Sequence, residues 1–248
     1  MDMCGRYVVA QTTLDLVAFY GVDDEGDNLP QPGFNVRPTD PVPIVVDVVD
    51  TQNPAGTRRR LEAARWSLIP PFAREARQRY STFNARSETA ARIASFHGAV
   101  ARTRCLVPSD GYYEWRTDQH TPGRRAKTPY FVSGRAVADD SDTHGEPLSF
   151  AGLYSWWADP AVDPRNPARW TLSATILTRT APPHLANLHA RTPVCLPADA
   201  WEAWLDPSTT GDQELVDAAV QASDRALDAL EYHPVESPRG GAPRRILR

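Results

Sequence analysis

Cys4, in the stretch Met3-Cys4-Gly5-Arg6-Tyr7, can do chemistry closed to the other two cysteines, provided it stands at the chain terminus. With Met3 as initiator and then removed, one carbon framework carries both a thiol and a free α-amine. The amine's ordinary pKa is about 7.7–8.0 and the thiol's about 8.5, so roughly a tenth or more of the amine is neutral near pH 7. Such an aminothiol captures an aldehyde first as a Schiff base, and its sulfur then closes a five-membered thiazolidine. An internal cysteine has no free amine and cannot. The chain reads Met1-Asp2-Met3-Cys4, so this chemistry requires initiation at Met3 or self-processing after it. The plainer alternative is a small buried residue near the start.

Three further polar residues stand where the surrounding pattern predicts core. Glu114 lies between Tyr113 and Trp115; a carboxylate among aromatics is desolvated, which raises its pKa into the range useful for proton transfer. The alternative is an outward-facing Glu on a half-buried strand. His189 precedes Arg191 and Pro193 and is equally readable as a structural histidine. Asn84, just ahead of Ala85-Arg86, also reads as a turn residue. They lie far apart in the chain, so spacing alone leaves open whether they converge.

Composition narrows the class. The 248 residues are 41% hydrophobic and 23% charged, as expected of a globular protein with a substantial core. No apolar run approaches a membrane span, and the start lacks a basic region followed by an apolar stretch, so no signal peptide is expected. Three cysteines without CxxC spacing argue against a disulfide framework and a zinc site. No metal or cofactor is implied, and the expected location is the cytoplasm. The net charge is −4, yet residues 58–104 hold eleven Arg against three Glu, a surplus of eight; the remainder therefore carries −12. That partition predicts a basic face suited to phosphates, with the acidic stretch 199–231 away from it.

The elements that must position these residues follow from local pattern. Thr12 or Thr13 caps a helix that Gly21 stops, and residues 23–33 read as an acidic loop. The β-branched run Ile44–Val49 predicts a strand paired with a return over residues 61–68. Pro70-Pro71-Phe72-Ala73 predicts a loop presenting Phe72, and Ser87 a helix cap. Further strands are expected at 104–108, 112–115, 129–132, 149–154 and 171–178, and two surface helices beyond Pro197, with Leu215, Val216 and Val220 facing inwards. The expected fold is α+β: one domain over residues 1–235, with a mixed or antiparallel, barrel-like sheet core flanked by helices. Residues 236–248 are expected to be a mobile basic tail.

The start Met-Cys-Gly-Arg-Tyr, Arg65-Trp66-Ser67-Leu68-Ile69-Pro70, Phe83-Asn84-Ala85-Arg86-Ser87-Glu88-Thr89, Arg104-Cys105-Leu106-Val107-Pro108, Gly111-Tyr112-Tyr113-Glu114-Trp115 and His189-Ala190-Arg191-Thr192-Pro193 together resemble the SOS-response-associated peptidase (SRAP) family. The resemblance runs from the start to about Val235. It implies a DNA-damage-response protein that recognises abasic sites in single-stranded DNA and links to them covalently through an N-terminal Cys; a monomer is expected. By motif match it makes Cys4 the nucleophile, with Asn84, Glu114 and His189 around it and Arg6 and Arg86 on phosphates. Phe72 and Arg92 complete the expected DNA face. Thr192 stands where the family pattern has Met, and the tail differs from the family's longer end. Two competing readings need less of Cys4: a cysteine peptidase pairing it with His189, and a noncovalent single-strand or modified-base binder.

Overall fold

The β-branched run does form a strand, and the larger of two sheets is built outwards from it. The computed structural model describes residues 5–53, 56–117, 127–134, 146–238 and 241–244. In chain order the elements are β1 (Tyr7–Val9), α1 (Thr13–Tyr20), β2 (Asp24–Glu25), β3 (Gly33–Val36), β4 (Pro41–Val49), β5 (Thr57–Trp66) and β6 (Asn84–Arg86). There follow α2 (Ala94–Arg102), β7 (Arg104–Ser109), β8 (Gly111–Thr117), β9 (Lys127–Gly134), β10 (Leu148–Ala158) and β11 (Trp170–Thr180). The chain ends with α3 (Pro183–Ala186), β12 (Arg191–Pro193), α4 (Trp201–Leu205), α5 (Gln213–Asp228) and β13 (Leu230–Pro234).

Strands β5, β4, β7, β10 and β11 pair antiparallel in succession, and β11 then pairs parallel with β5 through Ser173–Arg65 and Ala174–Trp66. Five strands thus close into a mixed barrel, which removes free edges that would invite pairing with another chain. A second sheet, ordered β13-β9-β8-β1-β3, is antiparallel throughout. Aromatic edges join the two: Tyr7 meets Trp66 at 4.8 Å between ring centroids and Phe150 at 6.2 Å, and Tyr112 meets Phe150 at 6.1 Å. Each such pair adds about 0.5–1.5 kcal/mol beyond area burial. Gly111 opens β8 at φ +150°, where a Cβ would run into the Phe131 ring and the Val132 carbonyl. Only glycine lets β8 start there, and the start sets the register of Glu114.

Helix α1 has the expected ends: Thr12 caps it in a reciprocal box with Asp15, and Gly21 closes it left-handed. Two expectations change. No helix starts at Ser87: its N–H bonds the Thr178 carbonyl as a continuation of β6, residues 87–93 form turns, and α2 begins later, at Ala94, without a side-chain cap. The acidic loop contains β2, which pairs parallel with β5 while Arg58 grips Asp24 through two hydrogen bonds of 2.7 and 2.8 Å.

That pairing also changes the reading of the basic segment. Arg59 clasps Asp47 and Arg60 meets Glu62, so these charges are neutralised locally. Arg104 is 3% exposed and spends its guanidinium on the carbonyls of Val100, Ala101, Trp204, Asp206 and Thr209. It ties the C-terminus of α2 to the turn after α4 and cannot serve a phosphate. Arg104→Leu is expected to cost about 3 kcal/mol or more, since charged hydrogen bonds are lost and buried carbonyls orphaned. A denaturant midpoint at unchanged slope reads this out; a shift below about 1 kcal/mol would refute the role.

Candidate functional site

One cleft of about 600 Å³ is lined by Ser81, Phe83, Asn84, Arg86, Thr178, Ala186, Leu188, His189, Ala190 and Arg191. Strand β11 builds it. Thr178 lies opposite Arg86 on β6 and opposite Pro193 on β12, so β6 and β12 flank β11 on its two edges. Alternation then sorts β6: Ala85 is 1% exposed in the core, while Asn84 and Arg86 turn to the cleft. Residues far apart in sequence are thereby brought within one cavity.

Each wall has its own support. The Arg191 backbone N–H donates to His189 Nδ1 at 3.1 Å, and the same nitrogen stands 3.3 Å from the Arg191 carbonyl; with Nδ1 accepting from the N–H, the neutral ring carries its proton on Nε2. Arg191 forks onto Glu88 at 2.7 and 2.8 Å, tying β12 to the segment after β6. The hydrogen bond from Arg191, ahead of other contributions, holds the Glu88 carboxyl below its ordinary value. A lowered carboxyl pKa adds stability above the unfolded value of about 4.3 and loses it only as pH falls through the folded one. The fork therefore stays ionised from pH 5 to 8.

The approach to the cleft is the segment after β5. Ser67 takes φ 141°, a strained conformation held by its N–H on Ala174 O and its hydroxyl against Thr82 at 3.0 Å. Ile69 N–H donates to Ser173 Oγ, and Trp157 Nε1 donates to Ala73 O. On this stapled base Phe72 and Tyr80 are 66% and 77% exposed, with Arg74, Arg77 and Arg79 exposed beside them.

A model of the SOS response associated peptidase (SRAP) family matches residues 3–238. The chain belongs to the SRAP family. Among its relatives, the abasic site processing protein YoqW of Bacillus subtilis is 29% identical, over 98% of this chain and 99% of that one. The mouse abasic site processing protein HMCES is 26% identical, over 82% of this chain and 60% of its own. A solved protein of Bacteroides thetaiotaomicron has the same fold, with TM-score 0.69 at 20% identity over 94% of this chain and 93% of that one. A phage-related protein of Bordetella bronchiseptica superposes with TM-score 0.63 at 26% identity over 94% of this chain and 95% of its own.

In this SRAP chain the expected site residues fall into groups. Asn84, Arg86 and His189 share the cleft. Glu114 is 5% exposed, not the outward-facing alternative. It lies two residues from Tyr112, hence on the same face of β8, and the Tyr112 hydroxyl meets Thr192 Oγ1 of β12 at 2.9 Å. Glu114 therefore faces the side of the molecule that carries β12. Arg6 sits on the other face of β8, its guanidinium 5.3 Å from the Trp115 ring and its Nη1 donating to Asn35 Oδ1 at 3.4 Å. Arg92 donates to the Glu88 carbonyl at 3.0 Å and lies outside the cleft lining. Cys4 lies outside the described residues; the first described residue is Gly5, next to Arg6, whose carbonyl accepts from Tyr113 N–H at 2.9 Å. Sequence reasoning passed over Arg191, although its place two residues after His189 puts both along one short extended stretch. It also passed over Tyr80, which no local pattern separates from an ordinary loop tyrosine.

Proposed function

We propose that the chain processes abasic sites in single-stranded DNA by covalent capture. The observation that carries the reading is the single cleft joining Asn84, Arg86 and His189, in a family whose relatives are named for abasic sites. An abasic sugar in its open form presents an aldehyde. The Cys4 amine adds to it to give a carbinolamine; loss of one water gives the Schiff base; the thiol adds across the C=N bond, its proton passing to nitrogen. The product is a thiazolidine, and no oxidant or reductant is needed. In this reading the His189 Nε2–H stabilises charge on the sugar oxygen, Asn84 orients the reacting amine and Glu114 carries protons in both directions. Phe72 and Tyr80 offer faces for neighbouring bases, worth about 1–3 kcal/mol each.

The test mixes the protein with an oligonucleotide carrying an abasic site, with the same oligonucleotide after borohydride reduction of the aldehyde, and with undamaged DNA. A denaturing gel should show a shifted band for the first alone. A band with reduced DNA would sink aldehyde capture.

The cleft also favours one other reading, a cysteine peptidase, since His189 and Asn84 are the partners a thiolate nucleophile needs. It requires no free amine, so a chain acetylated at its N-terminus would keep peptidase activity and lose capture. Under the first reading Arg86→Glu weakens single-strand binding and lowers the slope of log K against log salt by about 0.7 for each phosphate no longer neutralised. A reversal within α5 that had the larger effect would reassign the DNA face.

A further inference from the structure

Two polar groups compete for one ring nitrogen of the cleft. His189 Nδ1 stands 3.1 Å from the Arg191 backbone nitrogen and 3.3 Å from the Arg191 carbonyl oxygen. The first contact uses a lone pair on Nδ1 and leaves the proton on Nε2; the second needs the proton on Nδ1 itself. Both partners belong to one residue, so the pose of the Arg191 backbone decides which tautomer the ring keeps. The two distances are close enough that a slight rotation of that residue would reverse the choice.

Two supports fix that pose. Arg191 lies opposite Thr180 at the start of β12, and the Ala190 carbonyl accepts from Ala181 N–H at 3.0 Å. The other support is the Arg191 side chain, whose Nη1 and Nη2 donate to the two carboxylate oxygens of Glu88 while Nη2 also reaches the Thr178 carbonyl. Its Nε is buried with no partner among the described residues, so the guanidinium is held by its two ends. A forked pair fixes the plane of a guanidinium as well as its position. Glu88 is itself anchored: Arg92 donates to its carbonyl at 3.0 Å, and Gln213 of α5 to the carbonyl of Ser87 at 2.9 Å. Arg86, which lines the same cleft, also acts on the Glu88 carboxylate. The Arg191 side chain is 16% exposed and that of Glu88 49%, so the acid can be altered without opening the core.

We propose that Glu88 is a positioning residue: by gripping the Arg191 guanidinium it sets the Arg191 backbone against His189 and selects the tautomer with its proton on Nε2. Its effect on capture rests on the abasic-DNA reading above, in which that Nε2–H meets the sugar oxygen; the selection of the tautomer does not. The same carboxylate offsets the charge of two cleft arginines. Its loss leaves the cleft more positive and strengthens the pull on any phosphate. Glu88 therefore weakens the attraction for DNA while it improves the geometry, and the two effects of removing it have opposite signs.

The experiment compares the unaltered chain with Glu88→Gln, which keeps the shape and removes the charge, and Glu88→Asp, which keeps the charge on a shorter arm. Imidazole nitrogen shifts are measured by NMR at about pH 8, above the ordinary imidazole value of about 6.5, and the His189 signals are assigned by their loss in His189→Asn. The unaltered chain should show the two well-separated shifts of one tautomer; in Glu88→Gln they should draw together as the ring populates both. At saturating abasic oligonucleotide the capture rate of Glu88→Gln should fall about 10–10²-fold, as for a reacting group misplaced by about 1 Å. Its Kd for undamaged single strands should tighten by about two- to fivefold at low salt. Glu88→Asp should keep the unaltered affinity and fall between the other two in capture rate. Unchanged His189 shifts in Glu88→Gln overturn the proposal, whatever happens to capture. Loss of affinity together with capture would make the pair a structural strut and overturn it equally. Mixed tautomers with an undiminished capture rate would uphold the positioning role and sink the use of His189 in the abasic-DNA reading. A chain that captures no abasic DNA at all loses that reading, and the ring shifts alone then decide the proposal.

Discussion

A chain that begins at Cys4 is expected to form a denaturation-resistant complex with abasic single-stranded DNA, and a chain locked as Met1-Asp2-Met3-Cys4 is expected to form none. In the locked chain the Cys4 nitrogen is an amide whose lone pair is delocalised into the carbonyl. It cannot form a Schiff base, so no thiazolidine closes. Arg86 and Phe72 are untouched, and noncovalent binding should persist. Cys4→Ala on a processed terminus should also abolish the covalent complex, because no other thiol can substitute. Cys105 and Cys195 are at most 1% exposed, and burial pushes both thiols up, Cys195 to about 12. Intact-mass measurement reports which terminus is present, and the gel reports which one reacts. Efficient capture by a verified full-length terminus would eliminate the thiazolidine route.

How far the sequence could be read depended on the range of the interaction involved. Helix α1 was legible because Thr12, Asp15 and Gly21 act within one short segment. The β4–β5 pair was legible from a β-branched run and a nearby partner, and the Phe72 loop from two prolines. Charge was less legible. The surplus of Arg between residues 58 and 104 suggests one basic face, but Arg58 and Arg59 find Asp24 and Asp47, and Arg104 finds carbonyls. Linear charge counts miss partners supplied by neighbouring strands. What remains exposed is the shorter set Arg74, Arg77, Arg79, Arg86, Arg92 and Arg102.

The candidate site divides in the same way. Motif resemblance named Asn84, Glu114 and His189, but only the register of β11 brings Asn84 and His189 to one cleft. That register depends on a parallel pairing on one edge and an antiparallel one on the other, which periodicity along a single strand does not encode. The burial of Glu114 was ambiguous for a related reason. A strand of alternating aromatics reads alike whether one face or both are covered, and here both are. Tyr112 packs toward the barrel while Tyr113 packs into the small outer cluster. The helix expected after Ser87 starts later, at Ala94, because the chain first turns through residues 87–93, with the Thr89 and Arg92 N–H groups bonding the carbonyls three residues back.

Glu114→Gln is expected to slow capture, its reversal, or both by about 10²–10⁴-fold, the usual contribution of a positioned acid or base, while leaving the fold intact. The substitution preserves volume and one carbonyl-type acceptor at a position only 5% exposed, so the packing of that position is retained. What it removes is the ability to take up and release a proton as the carbinolamine loses water and as the ring reopens. The pH profile separates this role from a structural one. The Arg191–Glu88 fork stays ionised between pH 5 and 8, because Glu88 is held below its ordinary value, so acid does not loosen that wall of the cleft in this window. The Cys4 amine, a group whose ordinary value is about 7.7–8.0, is present in both proteins. The limb that belongs to Glu114 should therefore vanish in the variant while the amine's limb remains. Single-turnover rates of formation and release, measured at several pH values on one abasic oligonucleotide, decide it. Unchanged rates in both directions across pH 5–8 would reduce Glu114 to a packing residue and leave the aminothiol to react on its own.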